Sequence, residues 1–225
     1  MSTNSAEVTK QGYIDKMGVE FGKVFHSLRN ELIWLSIKWM EFQILYTKES
    51  RVALLNKAAP VFSHMLQNIL LENIILSMAK ITDQEKSGKY KSITTLLLPG
   101  YIDNVDLKHR IDLTVKKLSS LSKSFKDLRD KKIAHKDFSW QLNDTGTNFF
   151  WPSLESIREF LTLCYEMMNE IELYYMQATT MYNIDHMTGS LHLLYAVENG
   201  LRFDNLRLEM AKQGDRSLND FESVI

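Results

Sequence analysis

The sequence is poor in the residues that punctuate and staple small β folds. Its 225 residues hold 3 prolines, 9 glycines and 1 cysteine, where average usage would supply about 15 glycines and about 11 prolines. So little turn punctuation excludes a sandwich, barrel or collagen-like chain and favours long helices. One cysteine cannot close an intramolecular disulfide, and there is no CxxC or Cys/His cluster to hold structural zinc. A reducing compartment is therefore expected, with no metal and no other cofactor. Neither sign of charge dominates: 27 Lys/Arg stand against 28 Asp/Glu, a net charge of −1, which excludes a globally basic nucleic-acid coater. Long apolar runs are missing as well, because charge interrupts each of them, as Lys38 and Glu41 interrupt residues 32–46. The opening Met-Ser-Thr-Asn-Ser-Ala-Glu has neither the basic nor the apolar region of a leader. The chain is expected to be cytoplasmic, without membrane association. What it does have is 44% apolar and 11% aromatic residues, enough for a sizeable core and too much for intrinsic disorder.

That apolar content is arranged in helical steps. Phe21, Val24, Leu28, Leu32, Leu35, Trp39, Phe42 and Tyr46 recur every three or four residues and predict a first long helix. A second stripe runs through Val52, Leu55, Ala59, Phe62, Leu66, Ile69, Asn73 and Leu76, with Pro60 expected to kink or restart the helix because it has no N–H for the preceding turn. Residues 82–104 read as a connector with one helical turn over Ile93–Leu98. A third helix should open at Asp103 or Asn104 and present Leu107, Ile111, Val115, Leu118, Leu121, Phe125 and Leu128. After a polar loop at 139–152, Trp151-Pro152-Ser153 starts a fourth stripe of Leu154, Ile157, Leu161, Cys164, Met168, Ile171 and Tyr175. A last helix over roughly 189–213 contains Gly200. Four such helices bury their stripes most economically against one another, so the expected fold is an all-α antiparallel bundle in one domain over 1–225. Its core covers about 20–178, followed by a C-terminal helical extension at about 186–213.

Charge is uneven along the chain. From Lys116 to Lys136, eight Lys/Arg face only Asp127 and Asp130, a local net of +6, whereas residues 153–225 carry a local net of −7. Such a patch attracts phosphate; the alternative is a solvated helix face. Within it lies Arg129-Asp130-Lys131-Lys132-Ile133-Ala134-His135, followed by Lys136. Arginine grips phosphate through a planar fork, and histidine exchanges protons near neutral pH. Together they suffice for metal-free RNA cleavage: histidine draws the proton from a ribose 2′-OH while arginine stabilises the charge on the attacked phosphate. Six residues of ideal α-helix rotate by about 600°, which leaves the two side chains about 120° apart. Either the helix ends or bends here, or two chains share the site.

This motif, after a long third helix of an all-α bundle, resembles the signature of the HEPN superfamily of helical ribonucleases. The run Leu128–Asp137 is similar to the abortive-infection U2-like branch, as are Trp34 and Trp39 on the first helix, the segment Ile75–Asp83 and Ser92–Leu97. The resemblance covers about residues 25–175. It implies a four-helix core, a homodimer whose two motifs face each other across a cleft, and metal-independent cleavage of RNA to 2′,3′-cyclic phosphate ends. It further implies a role as a phage-defence effector or toxin, with a cognate antitoxin such as a nucleotidyltransferase-like protein. His135 would be the general acid/base, Arg129 the phosphate-binding residue, and Asp130 would orient one of them. Lys126, Lys131, Lys132 and Lys136 are the accompanying candidate RNA contacts. A non-catalytic module that holds RNA, nucleotide or a protein partner is the competing reading. A scaffold whose motif is only helix-end chemistry is the third.

Other side chains carry less. His186 and His192 have no recognised ligand spacing, and His64 reads as a packing residue of the second stripe. Cys164 occupies a core position. Trp140, Phe149, Phe150 and Trp151 suit either base stacking or a dimer interface.

Overall fold

In the computed structural model of the chain, residues 4–87, 89–134, 151–182, 189–215 and 218 are described, with side chains excepted at 4, 5, 87, 90 and 132–134. The helices are α1 (Asn4–Met17), α2 (Val19–Tyr46), α3 (Glu49–Ala58), α4 (Pro60–Ile81), α5 (Leu98–Tyr101), α6 (Val105–Leu128), α7 (Leu154–Met176) and α8 (Gly189–Lys212). A 3₁₀ turn at Thr95–Leu97 precedes α5, and a π-helix at Arg129–Ala134 follows α6. The described strand structure is a two-residue antiparallel ladder, with Lys86 opposite Lys91 and Ser87 opposite Tyr90. The fold is all-α, as the helical periodicity requires. Among the described residues no helix is long and apolar enough to cross a membrane.

The chain forms two compact units, one within Met1–Trp39 and Leu71–Ile184, the other within Met40–Leu70 and Asp185–Ile225. In the first, α6 packs on α7 and α1 also reaches α7. Phe125 and Phe160 meet edge to face with ring centroids 5.7 Å apart, inside a core that includes Phe25, Leu35, Ile74, Met78, Ile111 and Leu118. Gly18, at φ +85, ends α1 in a conformation that a side chain would strain. At Gly22 a Cβ would come within 2.6 Å of the Ile14 backbone, so only glycine permits that approach of α1 to α2. In the second unit, α3 packs on α8 around Leu45, Leu55 and Leu194. The start of α8 is held there by Ser190, whose N–H and hydroxyl both donate to the Glu41 carboxylate.

The helix-start chemistry is where the sequence placed it. Asn104 caps α6, its side-chain oxygen accepting from the Leu107 N–H at 2.9 Å, and Ser153 caps α7 by accepting from the Ser156 N–H at 3.1 Å. Asn104→Ala is expected to lower the unfolding free energy by about 1 kcal/mol, and Asn104→Gly by only a few tenths. Urea titration at constant m reads the difference. Equal stability of all three proteins would assign the α6 start to packing alone.

Several expectations are corrected. α1 precedes the first predicted helix; Tyr13 is its one described large apolar residue that is fully buried, too little for a visible stripe. Pro60 restarts the second helix as expected, but Ala59 before it, at φ −155 and ψ 74, is non-helical and breaks the phase. Phe62 and Ile69 are consequently exposed, while Ile74, Ile75 and Met78 form the buried face. The connector's helical structure lies at Thr95–Tyr101 rather than Ile93–Leu98. On α6 the buried position falls on Ser122 beside a partly exposed Leu121. His64 is exposed and contacts Asn68 on its own helix, so it is not a packing residue.

Candidate functional site

The site grows from the place where two helix ends meet within the first unit. α4 ends at Ile81, and Thr82 turns its hydroxyl back onto the carbonyls of Met78 and Ala79 at 3.1 and 3.2 Å, satisfying groups the helix leaves open. From α6, the Lys126 ammonium donates to the Thr82 carbonyl at 2.5 Å. A cation at the C-terminal end of α4 is where the helix dipole favours one. Asp83, the next residue, stands 3.9 Å from the same ammonium through Oδ1. Partial burial draws Lys126 below the usual lysine range, and the attraction of Asp83 opposes that fall.

Two residues further along α6, Leu128 is buried and the α-helix stops. Arg129 through Ala134 wind as a π-helix, a form that appears in short pieces and often at functional sites. The chain therefore leaves α geometry at Arg129, which is one of the two alternatives left open by the sequence, the other being a site shared between two chains.

Arg129 is held from two sides. Its Nη1 donates to Asp83 Oδ2 at 2.5 Å and its Nε to Asp130 Oδ1 at 2.7 Å. The Arg129 side chain is 22% exposed, against 33% for Asp83 and 57% for Asp130. The hydrogen bond to Asp130 raises the guanidinium further above its already high range; partial burial opposes this, and Asp83 reinforces it. Among the described residues Nη2 makes no hydrogen bond, which leaves it as the donor an incoming phosphate oxygen can take. Two cations and two carboxylates thus face one another, so the strong positive field of the sequence patch is largely balanced at this point.

Of the predicted site residues, the structure brings together Lys126, Arg129 and Asp130. Lys131 is exposed on the π-helix, and Lys132 follows it there with its side chain outside the described residues. His135 and Lys136 lie outside the described residues, as do His186, Trp140, Phe149 and Phe150. Asp83 joins the cluster without having been given a role from the sequence; its only signal was its place at the end of the segment Ile75–Asp83. Among the described residues, no three His, Cys, Asp or Glu side chains converge as metal ligands would. Cys164 is buried in the core, where burial pushes its thiol up and makes it unreactive.

The model of the HEPN_AbiU2 family, described as AbiU2, matches residues 18–187, which include both helix ends of the cluster and the whole Arg129–His135 motif. No curated protein and no solved structure matches the chain.

Proposed function

The chain belongs to the AbiU2 family of HEPN domains, and from that premise we propose that it is a metal-independent RNA endonuclease serving as an abortive-infection effector or as the toxin of a toxin–antitoxin pair. His135 takes the proton of a ribose 2′-OH, and O2′ attacks the adjacent phosphorus. The P–O5′ bond breaks, O5′ receives a proton, and a 2′,3′-cyclic phosphate is left. Arg129 offers Nη2 to the phosphate oxygen on which charge builds, and its fixed planar fork has little to reorganise as the reaction proceeds. Asp130 orients Arg129 through Nε. Lys131, Lys132 and Lys136 follow the RNA backbone, and Lys126 adds positive potential behind them. Two copies face each other across the cleft, and a nucleotidyltransferase-like antitoxin is the fitting partner.

What supports this reading is the state of Arg129: three-quarters buried at the α-to-π transition, gripped at Nη1 and Nε, and, among the described residues, left with a donor to spare. A second reading, a non-catalytic RNA-, nucleotide- or protein-binding dimerisation module, draws on the same cluster, since Asp83 and Asp130 offset the charge that would hold a phosphate. Incubating the protein with mixed cellular RNA in EDTA, beside His135→Ala, separates the two. Cyclic-phosphate fragments that disappear in the variant are the expected result. Intact RNA with the purified wild type would move the reading to the binding module. Because the proposed site needs two copies, specific activity is also expected to fall as the protein is diluted through its dimer dissociation range, and activity of a stable monomer would contradict the shared cleft.

A further inference from the structure

Asp83 touches both cations of the cluster, with Oδ2 on Arg129 Nη1 and Oδ1 3.9 Å from Lys126 Nζ. It belongs to the turn after α4, whereas Lys126 belongs to the end of α6 and Arg129 to the π-helix that continues it. Asp130, by contrast, is the chain neighbour of Arg129 and moves with it. Among the described residues only Asp83 therefore ties the guanidinium to a separate element, and that element is itself fixed, since Thr82 is buried and its carbonyl is bound by Lys126.

We propose that Asp83 is a positioning residue for Arg129: it holds Nη1 from the α4 side so that Nη2 faces the phosphate in the geometry the reaction needs. This rests on the nuclease reading and adds to it a residue outside the Arg-Asp-x4-His motif. Because Asp83 is also an anion beside the phosphate-binding donor, it acts in opposite directions on binding and on chemistry. Removing it frees a cation for RNA, which tightens ground-state binding. The freed guanidinium is no longer aimed, and misplacement of a reacting group by about 1 Å costs about 100-fold in rate.

The test compares wild type, Asp83→Ala, Asp83→Asn, Arg129→Ala and the Asp83→Ala/Arg129→Ala double variant in EDTA. Folding of each is checked by circular dichroism. Asn keeps an acceptor oxygen for Nη1 and guards against loss of the helix-end contact. On a cleavable RNA, Asp83→Ala is expected to lower kcat by about 10- to 100-fold while KM falls or stays level. Asp83→Asn should lie between it and wild type, and the double variant should be no slower than Arg129→Ala alone. A loss of the same size in both backgrounds, or one confined to a rise in KM, would overturn the assignment, because Asp83 would then not act through Arg129.

A short 2′-O-methyl oligonucleotide, which lacks the attacking hydroxyl, supplies the second arm. Asp83→Ala should bind it more tightly, and with a salt slope steeper by about 0.7 for one additional phosphate contact on a single strand. In the Arg129→Ala background that change in slope should vanish. If wild type cleaves nothing, the nuclease reading fails and this arm alone decides. Coupling between the two residues would retain Asp83 as the group that sets Arg129, and independence would reject it.

Discussion

Arg129→Ala is expected to slow RNA cleavage by about two to three orders of magnitude, the range seen when one preorganised donor to a developing oxyanion is removed. The loss should fall mainly on kcat. In the free protein Nη1 and Nε are already taken by Asp83 and Asp130, so the arginine's net pull on RNA is small and its main contribution appears as charge builds on the phosphate. Arg129→Lys tells charge from shape. Lysine keeps the charge but has no fork to span Asp83 and Asp130, so recovery should be slight. The fold should survive either change, because the ion pairs removed are partly exposed and each is worth about 1 kcal/mol or less. Single-turnover kinetics at saturating RNA provide the readout. Wild-type kcat in Arg129→Ala would remove the arginine from the mechanism.

The largest stability effect is expected at Glu172, far from the motif in sequence. Its carboxylate is buried in the first unit, and Oε1 accepts from the Tyr13 hydroxyl and from Thr180 Oγ1 at 3.1 Å, with Arg29 Nε 3.8 Å away. Thr180 Oγ1 in turn accepts from Arg29 Nε at 2.8 Å, and Arg29 also lies over the Tyr13 ring at 5.9 Å. The network ties α1, α2 and α7 to the segment after α7. Truncation to Ala leaves a largely buried guanidinium without its counter-charge and a buried phenol without its acceptor, a loss of about 3 kcal/mol at the lower end of the range for breaking a buried pair, because Arg29 keeps 21% exposure and some water. Tyr13→Phe removes one donor and should cost about 1 kcal/mol. Urea unfolding of both variants checks the order. Equal, small losses would mean that the network is satisfied by other groups once opened.

The elements that were legible from sequence are those whose burial is one-sided. On α6 and α7 a three-four repeat of apolar residues lies along one face, so Ile111, Leu118, Ile157, Leu161 and Ile171 could be assigned to the core directly, and Asn104 and Ser153 announced the starts. α4 was harder. Its sequence is apolar on nearly every side, so Phe62 and Ile74 look alike until the phase break before Pro60 is known. α1 is mostly polar and joins the core through Tyr13, a contact that depends on Glu172 lying 159 residues away. Two of the boundaries between the units left no trace in composition because they fall inside α2 and α4. The site divides in the same way. Arg129 and Asp130 could be found because their spacing to His135 is local, whereas Asp83 reaches Arg129 across 46 residues and only folding pairs them. The lysines show a related limit: sequence counts Lys126 as open charge, and folding places it on the Thr82 carbonyl.

The most direct test of the account is cleavage in EDTA of one RNA oligonucleotide and its 2′-O-methyl counterpart by wild type, Arg129→Ala and His135→Ala. The account predicts that wild type cuts the RNA to cyclic-phosphate ends, leaves the 2′-O-methyl strand bound but whole, and loses cleavage in both variants. Cutting of both strands alike, or cutting of RNA that persists in His135→Ala, would contradict a ribose-driven reaction at the end of α6.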